Sequence, residues 1–447
     1  MFTKKSQDTI SNEPIYSIKD ISVAQSLLLG LQHTFAMFGA TVLVPLLTGL
    51  DISTTLFMAG LGTLLFHFIT KGKVPAFLGS SFAFIGGYAA VAPLKDGLPN
   101  LEKLPYASGG VFTAGLVYIL LASLIKFFGI TKVMKFFPPV VTGPIIIAIG
   151  LTLSPTAIAN ASQDWLLALV AVAIIIVSNI WGKGMLKIIP IILGIVGSYI
   201  LAIILGRVDL RTISQSSIFA LPLHKDAFMK FDLSAIITIV PIALATMMEH
   251  IGDISAIGAS VKKNFVKDPG LHRTLLGDGL ATMLASAFGG PANTTYGENT
   301  GVLVLTKVYD PAVTRIAAAF AIVLSFLPAL STAIRTIPMA IVGGVSMILY
   351  GMISGIGVRN LVENQVDLTK SRNLIVVASI LVCALGFTAG VSFHVGEAQI
   401  TLSGIALASI VGIVLNAILP GKDYDFDGED PHATGVEFSG TRALKKD

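Results

Sequence analysis

The chain is written in long apolar blocks separated by short polar loops. Clear apolar runs lie near 25–49, 54–70, 109–128, 139–154, 163–180, 187–206, 234–258, 313–331, 338–353, 372–389 and 400–419. A hydrocarbon core of about 30 Å takes about 20 apolar residues per straight helix, so each run is a candidate membrane span. Three further runs, 79–93, 274–289 and 297–306, are short or interrupted. Together these blocks predict an all-α polytopic membrane protein with fourteen transmembrane segments.

The basic residues test that count, because short cytoplasmic loops collect Lys and Arg. With the N-terminus inside, the alternation places 23 of the 30 basic residues on the inner side. The outer loops keep Lys95, Lys103, Arg207, Arg211, Lys225, Lys230 and Arg335. A miscounted span would scramble this pattern from the error onward. Both termini are therefore expected in the cytoplasm. The first twenty residues are polar and mixed in charge, with no cleavable signal pattern, so 1–24 reads as a cytoplasmic tail. At the other end 421–447, with Asp423, Asp425, Asp427, Glu429 and Asp430, reads as a solvated cytoplasmic tail.

Composition narrows the class. Of 447 residues, 54% are hydrophobic and 13% charged, against about 25% charged in soluble domains. Mean hydropathy is +0.82. A secreted domain and a soluble enzyme are excluded. The net charge of +4 would hint at nucleic acid, but the basic residues sit between spans and report orientation instead. Gly 44 and Pro 20 fit membrane helices that pack closely or break. The single cysteine, Cys383, allows no internal disulfide.

The two halves repeat one another weakly. Leu31-Gln32-His33 matches Met248-Glu249-His250, and Gly60-Leu61-Gly62-Thr63 matches Gly279-Leu280-Ala281-Thr282. Gly79-Ser80-Ser81-Phe82-Ala83 matches Asn293-Thr294-Thr295-Tyr296-Gly297, and Pro138 and Gly143 match Pro338 and Gly343. The matches keep their order. Seven spans is an odd number, so the second copy enters the membrane from the opposite side, an inverted repeat of the kind common in secondary transporters. Segments 3 and 10 occupy matching places and are both interrupted: Pro75 precedes Phe77–Phe82 in one, and Gly289-Gly290-Pro291 precedes Asn293–Gly297 in the other. Each reads as a short extended stretch leading into a half-helix. Irregular backbone at membrane depth is tolerated only where protein or a polar cavity covers it. Half-helix N-termini then aim amides and a positive dipole end at that cavity.

Ionisable residues inside spans are costly, about 2.5–3.5 kcal/mol on insertion scales, and mark function or pairing. They are His33, His67, Glu249, His250, Asp253, Asp278 and Glu298. Glu249 and Asp253 share a helical face, and Glu298 follows the second break. Buried carboxylates suit a proton-coupled carrier or a ligand with N–H donors. His67, near a span end, reads as interfacial packing.

At these residues the chain resembles the nucleobase–ascorbate transporter family. Glu298-Asn299-Thr300-Gly301, followed by Thr306-Lys307, is similar to the family signature: an acidic or amide residue, Asn-x-Gly, four variable positions, Thr, then a basic or small residue. Gln32-His33 resembles the Gln-His pair of the first span, and Glu249 the acidic residue of the eighth. The likeness extends over essentially the whole chain. Glutamate at the signature's first position resembles the bacterial uracil permeases, whereas purine carriers usually have glutamine there.

The resemblance implies a core domain of spans 1–4 and 8–11 (25–128 and 234–331) and a gate domain of spans 5–7 and 12–14 (129–233 and 332–420). It also implies homodimers in the bacterial cytoplasmic membrane, elevator-like motion of the core, and symport of uracil or a similar nucleobase with protons as the coupling ion, with no other cofactor and no nucleic acid. Carried over, Glu249 and Glu298 accept hydrogen bonds from ring N–H groups. The amides of Phe82 and Gly297 donate to the carbonyls, and Phe82, Tyr296 and Tyr350 form walls. Gln32, His33 and Asn299 support the site. Asp253 stands where some uracil permeases have a histidine, and the coupled proton is expected on Asp253 or Glu298. A purine carrier of the same family and an anion exchanger of the same architecture are the rival readings. Neither break carries Lys or Arg, as an anion path would. A membrane enzyme has no motif to support it.

Overall fold

The computed structural model describes residues 14–94, 98–388, 390–395 and 398–422; most of the acidic tail and the first residues of the N-terminal tail lie outside the described residues. Helix α1 (Val23–Thr48) starts on a reciprocal cap in which the Gln25 amide donates to the Ser22 hydroxyl and the Ser22 amide donates to the Gln25 side chain. It ends at Gly49, whose φ of 81° suits glycine. Helix α2 (Ile52–Ile69) begins on Asp51. Strand β1 (Leu78–Ser80) leads into half-helix α3 (Ile85–Val91). Then follow α4 (Leu104–Phe128), α5 (Pro139–Ala161), α6 (Trp165–Trp181, capped by Asp164) and α7 (Pro190–Ile204).

The second half follows the same plan. Helix α8 (Leu233–Val261) is capped by Asp232 and interrupted at Val240-Pro241. After it come α9 (Leu271–Ala287), strand β2 (Asn293–Thr295) and half-helix α10 (Gly297–Thr306). Helices α11 (Ala312–Ser325), α12 (Met339–Glu363), α13 (Ser371–Gly386) and α14 (Gly404–Ile418) complete it. Each apolar block of the sequence thus carries a helix. The expected extended stretches before segments 3 and 10 are present as β1 and β2. By length and composition, six helices among the described residues are able to cross a bilayer, or seven if the bent pair at α11 counts as one span.

Two local expectations change and a third is resolved. The run 313–331 is not one straight helix: it bends by 83° between Ser325 and a short helix, Pro328–Arg335. Pro328 cannot continue the preceding helix, and Leu327 before it is held extended (φ −102°, ψ 90°). The run 274–289, read as short or interrupted, is a continuous helix of 17 residues, α9, and so is short rather than interrupted. Before α14 the chain forms an antiparallel hairpin, β3 (Val391–Val395) with β4 (Ala398–Leu402), so residues 400–402 belong to a strand and not to the last span. Val391, Phe393 and Thr401 have the β-propensity that an apolar count does not distinguish from helix.

Packing joins the halves reciprocally. Helix α4 lies against α9 as α2 lies against α11, and α6 against α7 as α13 against α14. Likewise α12 meets α6 as α5 meets α13, α1 meets α7 as α8 meets α14, and α5 and α12 pair with each other. Matching glycines make matching seams. A Cβ at Gly60 would sit 2.6 Å from the Ala318 carbonyl of α11. At its counterpart Gly279 it would sit 2.5 Å from Tyr118 Cβ of α4. With little hydrophobic drive between helices in lipid, close backbone approach supplies the packing energy.

The α5–α12 seam gives a direct test. A Cβ at Gly343 would meet the Ala161 amide nitrogen at 2.2 Å and the Ala157 carbonyl at 2.7 Å, both backbone, whereas one at Gly351 meets nothing within 4 Å. Gly343→Ala is expected to destabilise by about 1–3 kcal/mol, and Gly351→Ala to be neutral or stabilising by up to about 1 kcal/mol. Melting in detergent, followed by size-exclusion fluorescence, checks both; equal melting temperatures would contradict the seam.

Candidate functional site

The two broken segments meet. Strands β1 and β2 pair antiparallel, with Leu78 opposite Thr295, Gly79 opposite Thr294 and Ser80 opposite Asn293. The Ser81 amide donates to the Ala292 carbonyl (2.8 Å) and the Tyr296 amide to the Phe77 carbonyl (3.0 Å), extending the ladder at both ends. Each break satisfies part of its backbone on the other, as membrane depth demands.

A threonine from each half fastens its own break. The Leu78 amide donates to the Thr63 hydroxyl at 2.9 Å. Correspondingly, the Asn293 amide donates to the Thr282 hydroxyl (3.2 Å), which donates to the Asn293 carbonyl (2.9 Å). Thr63 and Thr282 close the repeated Gly-x-x-Thr stretches. His67, fully buried rather than interfacial, brings Nε2 to 2.8 Å from the Ala76 carbonyl and 3.2 Å from the Thr314 hydroxyl, tying the approach to β1 to α11.

From this crossing the half-helices α3 and α10 depart, neither with a side-chain cap. A small pocket opens beside them, lined by Phe82, Glu249, Asp253, Thr294–Gly297, Ile146, Ile353 and Ile356. It brings together Phe82, Glu249, Asp253, Tyr296 and Gly297, which lie far apart in sequence. Tyr350 joins them through its ring, edge-on to Phe82 at 5.9 Å between centroids. Glu298 lies in the first turn of α10, but its side chain falls outside the described residues.

Other residues stand behind the pocket. The Tyr296 hydroxyl donates to the Ser80 carbonyl at 2.9 Å and lies 3.4 Å from the Thr41 hydroxyl. Its ring covers Gly79, where a Cβ would come within 2.3 Å. The side chain expected as a wall is thus also a brace between the breaks and α1. Asn299 Nδ2 donates to the His33 carbonyl (3.1 Å) and lies 3.2 Å from His33 Nδ1, fixing α10 to α1. Gln32, half-buried on α1, is not among the residues lining the pocket.

Behind Asp253 the acid cluster continues. The Thr295 hydroxyl donates to Asp253 Oδ2 (3.3 Å) and lies 3.4 Å from His250 Nδ1. Asp278 Oδ2 lies 3.5 Å from the same nitrogen, with both side chains fully buried. Thr295 therefore links the pocket to a His250–Asp278 pair that spacing along the chain did not bring together. Thr63 and Thr282 were signalled by the repeat. No pattern marked Ile146, Ile353 and Ile356, which are ordinary apolar positions until α5 and α12 close on the breaks.

Comparisons with known proteins identify the family. The profile of the Permease family matches residues 24–393. The uracil permease of Bacillus caldolyticus is 42% identical over 425 residues, covering 92% of this chain and 96% of that protein. The uracil permease of Escherichia coli (strain K12) is 39% identical over 427 residues, covering 92% and 96%. The transmembrane domain of the cyanobacterial bicarbonate transporter BicA shares the fold, with a TM-score of 0.60 at 17% identity over 88% of this chain and 96% of that one. This is a multi-pass membrane permease and not an enzyme. The chain belongs to the Permease family matched above, the nucleobase–ascorbate transporters.

The threonine clamps predict a graded series. Thr282→Val keeps the shape but leaves a buried amide and carbonyl without their partner, a loss of about 1–3 kcal/mol. Melting should fall and substrate affinity weaken together, while Thr282→Ser, which keeps the hydroxyl, restores both. If the valine variant behaved like the serine variant, the clamp would be incidental.

Proposed function

We propose that this permease imports uracil across the bacterial cytoplasmic membrane by proton symport, with elevator-type alternating access. The observation that carries the reading is the pocket itself, which a glutamate and the N-terminal end of an uncapped half-helix line together. Uracil alternates N–H donors with carbonyl acceptors. Glu249, with Glu298 by its place in the signature, accepts from the ring N–H groups. The amides of Phe82 and Gly297 donate to the carbonyls, and Phe82 and Tyr350 cover the ring. The two uracil permeases at about 40% identity support the substrate, and no Lys or Arg lines the pocket as an anion route would have it.

The fourteen-span inverted repeat belongs to the same proposal, supported by the reciprocal packing. Helices α6, α7, α13 and α14 have 15–17 residues, about 22–26 Å at 1.5 Å per residue, a shortfall that local thinning absorbs. Helices α1–α4 pack mainly with α8–α11 as the core, and α5–α7 with α12–α14 as the gate. The pocket lies between them, acids and amides on the core side and Ile146, Ile353 and Ile356 on the gate side. An apolar wall forms no directional bonds, so the core slides past it with its cargo. Asp253, or Glu298, carries the coupled proton, with Thr295 passing its state to the His250–Asp278 pair. Both termini lie in the cytoplasm, and the permease works as a homodimer.

The test is radiolabelled uracil uptake into proteoliposomes with and without an inward proton gradient. The gradient should drive accumulation, and unlabelled uridine, blocked at N1, should compete poorly. Glu249→Gln replaces a charged acceptor and should weaken uptake about 10- to 100-fold; Glu298→Gln should do the same. Uptake of xanthine or of an anion in place of uracil would overturn the substrate, and accumulation indifferent to the gradient would overturn the coupling.

A further inference from the structure

A groove on the outer wall of the helix bundle has no part in the pocket just described. Its walls are Leu121 and Phe128 of α4, Phe136 and Phe137 of the stretch before α5, Leu244 of α8 and Ile413 of α14. Phe128 and Phe136 remain 60% and 48% exposed. One charged side chain, the exposed Lys132, is among the residues that line it. Gly129, with φ of 87°, ends α4, and a short helix, Ile130–Met134, follows it at once and carries Lys132 just beyond the end of α4. From Leu104 to Gln163 the chain has no acidic residue, while Lys126, Lys132 and Lys135 fall within it, so this stretch carries net positive charge.

We infer that this groove is a binding site for an anionic diacyl phospholipid, its acyl chain along the apolar walls and its phosphate at Lys132. The occupant follows from the combination. An apolar channel on a membrane-facing wall takes hydrocarbon, and a lone ammonium at its end selects a headgroup with net negative charge over a zwitterionic one. A lysine near an anionic surface contributes enough for about a fivefold preference. The aromatic rings beside Lys132 suit the headgroup level, where aromatic side chains gather. The groove joins α4 and α8 to α14 through residues 129–138. On the reading of core and gate given above, a bound lipid would therefore steady the connection between the two bodies, and transport would depend on it.

Lipid retention tests the site without requiring transport. The permease is purified in detergent with equimolar phosphatidylglycerol and phosphatidylcholine, washed, and its bound lipid measured by mass spectrometry. The full chain should retain phosphatidylglycerol about fivefold over phosphatidylcholine. Lys132→Gln should abolish the preference, and Ile413→Trp, which fills the groove, should lower retention of both lipids. Lys183→Gln, at an exposed lysine outside the groove, should change nothing. A preference that survives Lys132→Gln, or that Lys183→Gln removes equally, would overturn the site. So would absence of retained lipid together with disulfide cross-linking between copies through Ile413→Cys in a Cys383→Ser background, which would give the groove to a second subunit. Uptake compared in phosphatidylcholine vesicles with and without phosphatidylglycerol then reads the effect on transport; a loss there with retention intact bears on the carrier reading alone.

Discussion

Everything at the centre of this permease depends on a few backbone hydrogen bonds between β1 and β2. A helix interrupted at membrane depth exposes amides and carbonyls that lipid cannot satisfy. Two interruptions in register with each other satisfy most of them at once and leave the first turns of two half-helices without side-chain caps. The pocket follows from this pairing: the half-helix ends need a polar neighbour, and α8 supplies one in Glu249 and Asp253.

The surrounding helices hold the crossing in place. Thr63 and Thr282 fasten the strands from α2 and α9, His67 fastens the approach to β1, and Tyr296 and Asn299 fasten the second break to α1. Glycines in the α4–α9, α2–α11 and α5–α12 seams let backbones approach where a methyl group would collide. In lipid, van der Waals contact and interhelical hydrogen bonds bring helices together, so these small residues carry much of the stability that a large apolar core carries in water. The same economy explains why the buried polar residues are mostly threonines and serines, many of them bonded to backbone carbonyls.

The His250–Asp278 pair adds a second layer behind the pocket. A carboxyl group buried this deeply is tolerated when a partner shares its charge, and His250 stands within reach of both Asp278 and the Thr295 hydroxyl. Since Thr295 belongs to β2, its hydroxyl ties this group to the strand that shapes the pocket. The apolar face opposite, from Ile146, Ile353 and Ile356, makes no such demand. One side of the pocket is polar and the other apolar.

Much of this was legible in the chain. Apolar blocks marked where the helices lie, because a hydrocarbon core admits few polar residues along a crossing. Paired Pro- and Gly-rich interruptions marked both breaks, and the repeat marked Thr63 and Thr282. Charges inside apolar blocks singled out Glu249, Asp253 and Asp278, because a buried charge is expensive and persists only for a reason. The 83° bend after Ser325 and the hairpin before α14 were less visible, since an apolar run has the same composition in a helix, a bend or a strand. What only the tertiary structure decided were contacts between residues remote in sequence. Tyr296 reaches Ser80 across 216 positions, His250 meets Asp278, and three isoleucines close the pocket. Composition and periodicity act along the chain and so report where it must be apolar, broken or charged. Which group meets which is set by how the halves pack, and no local pattern encodes that.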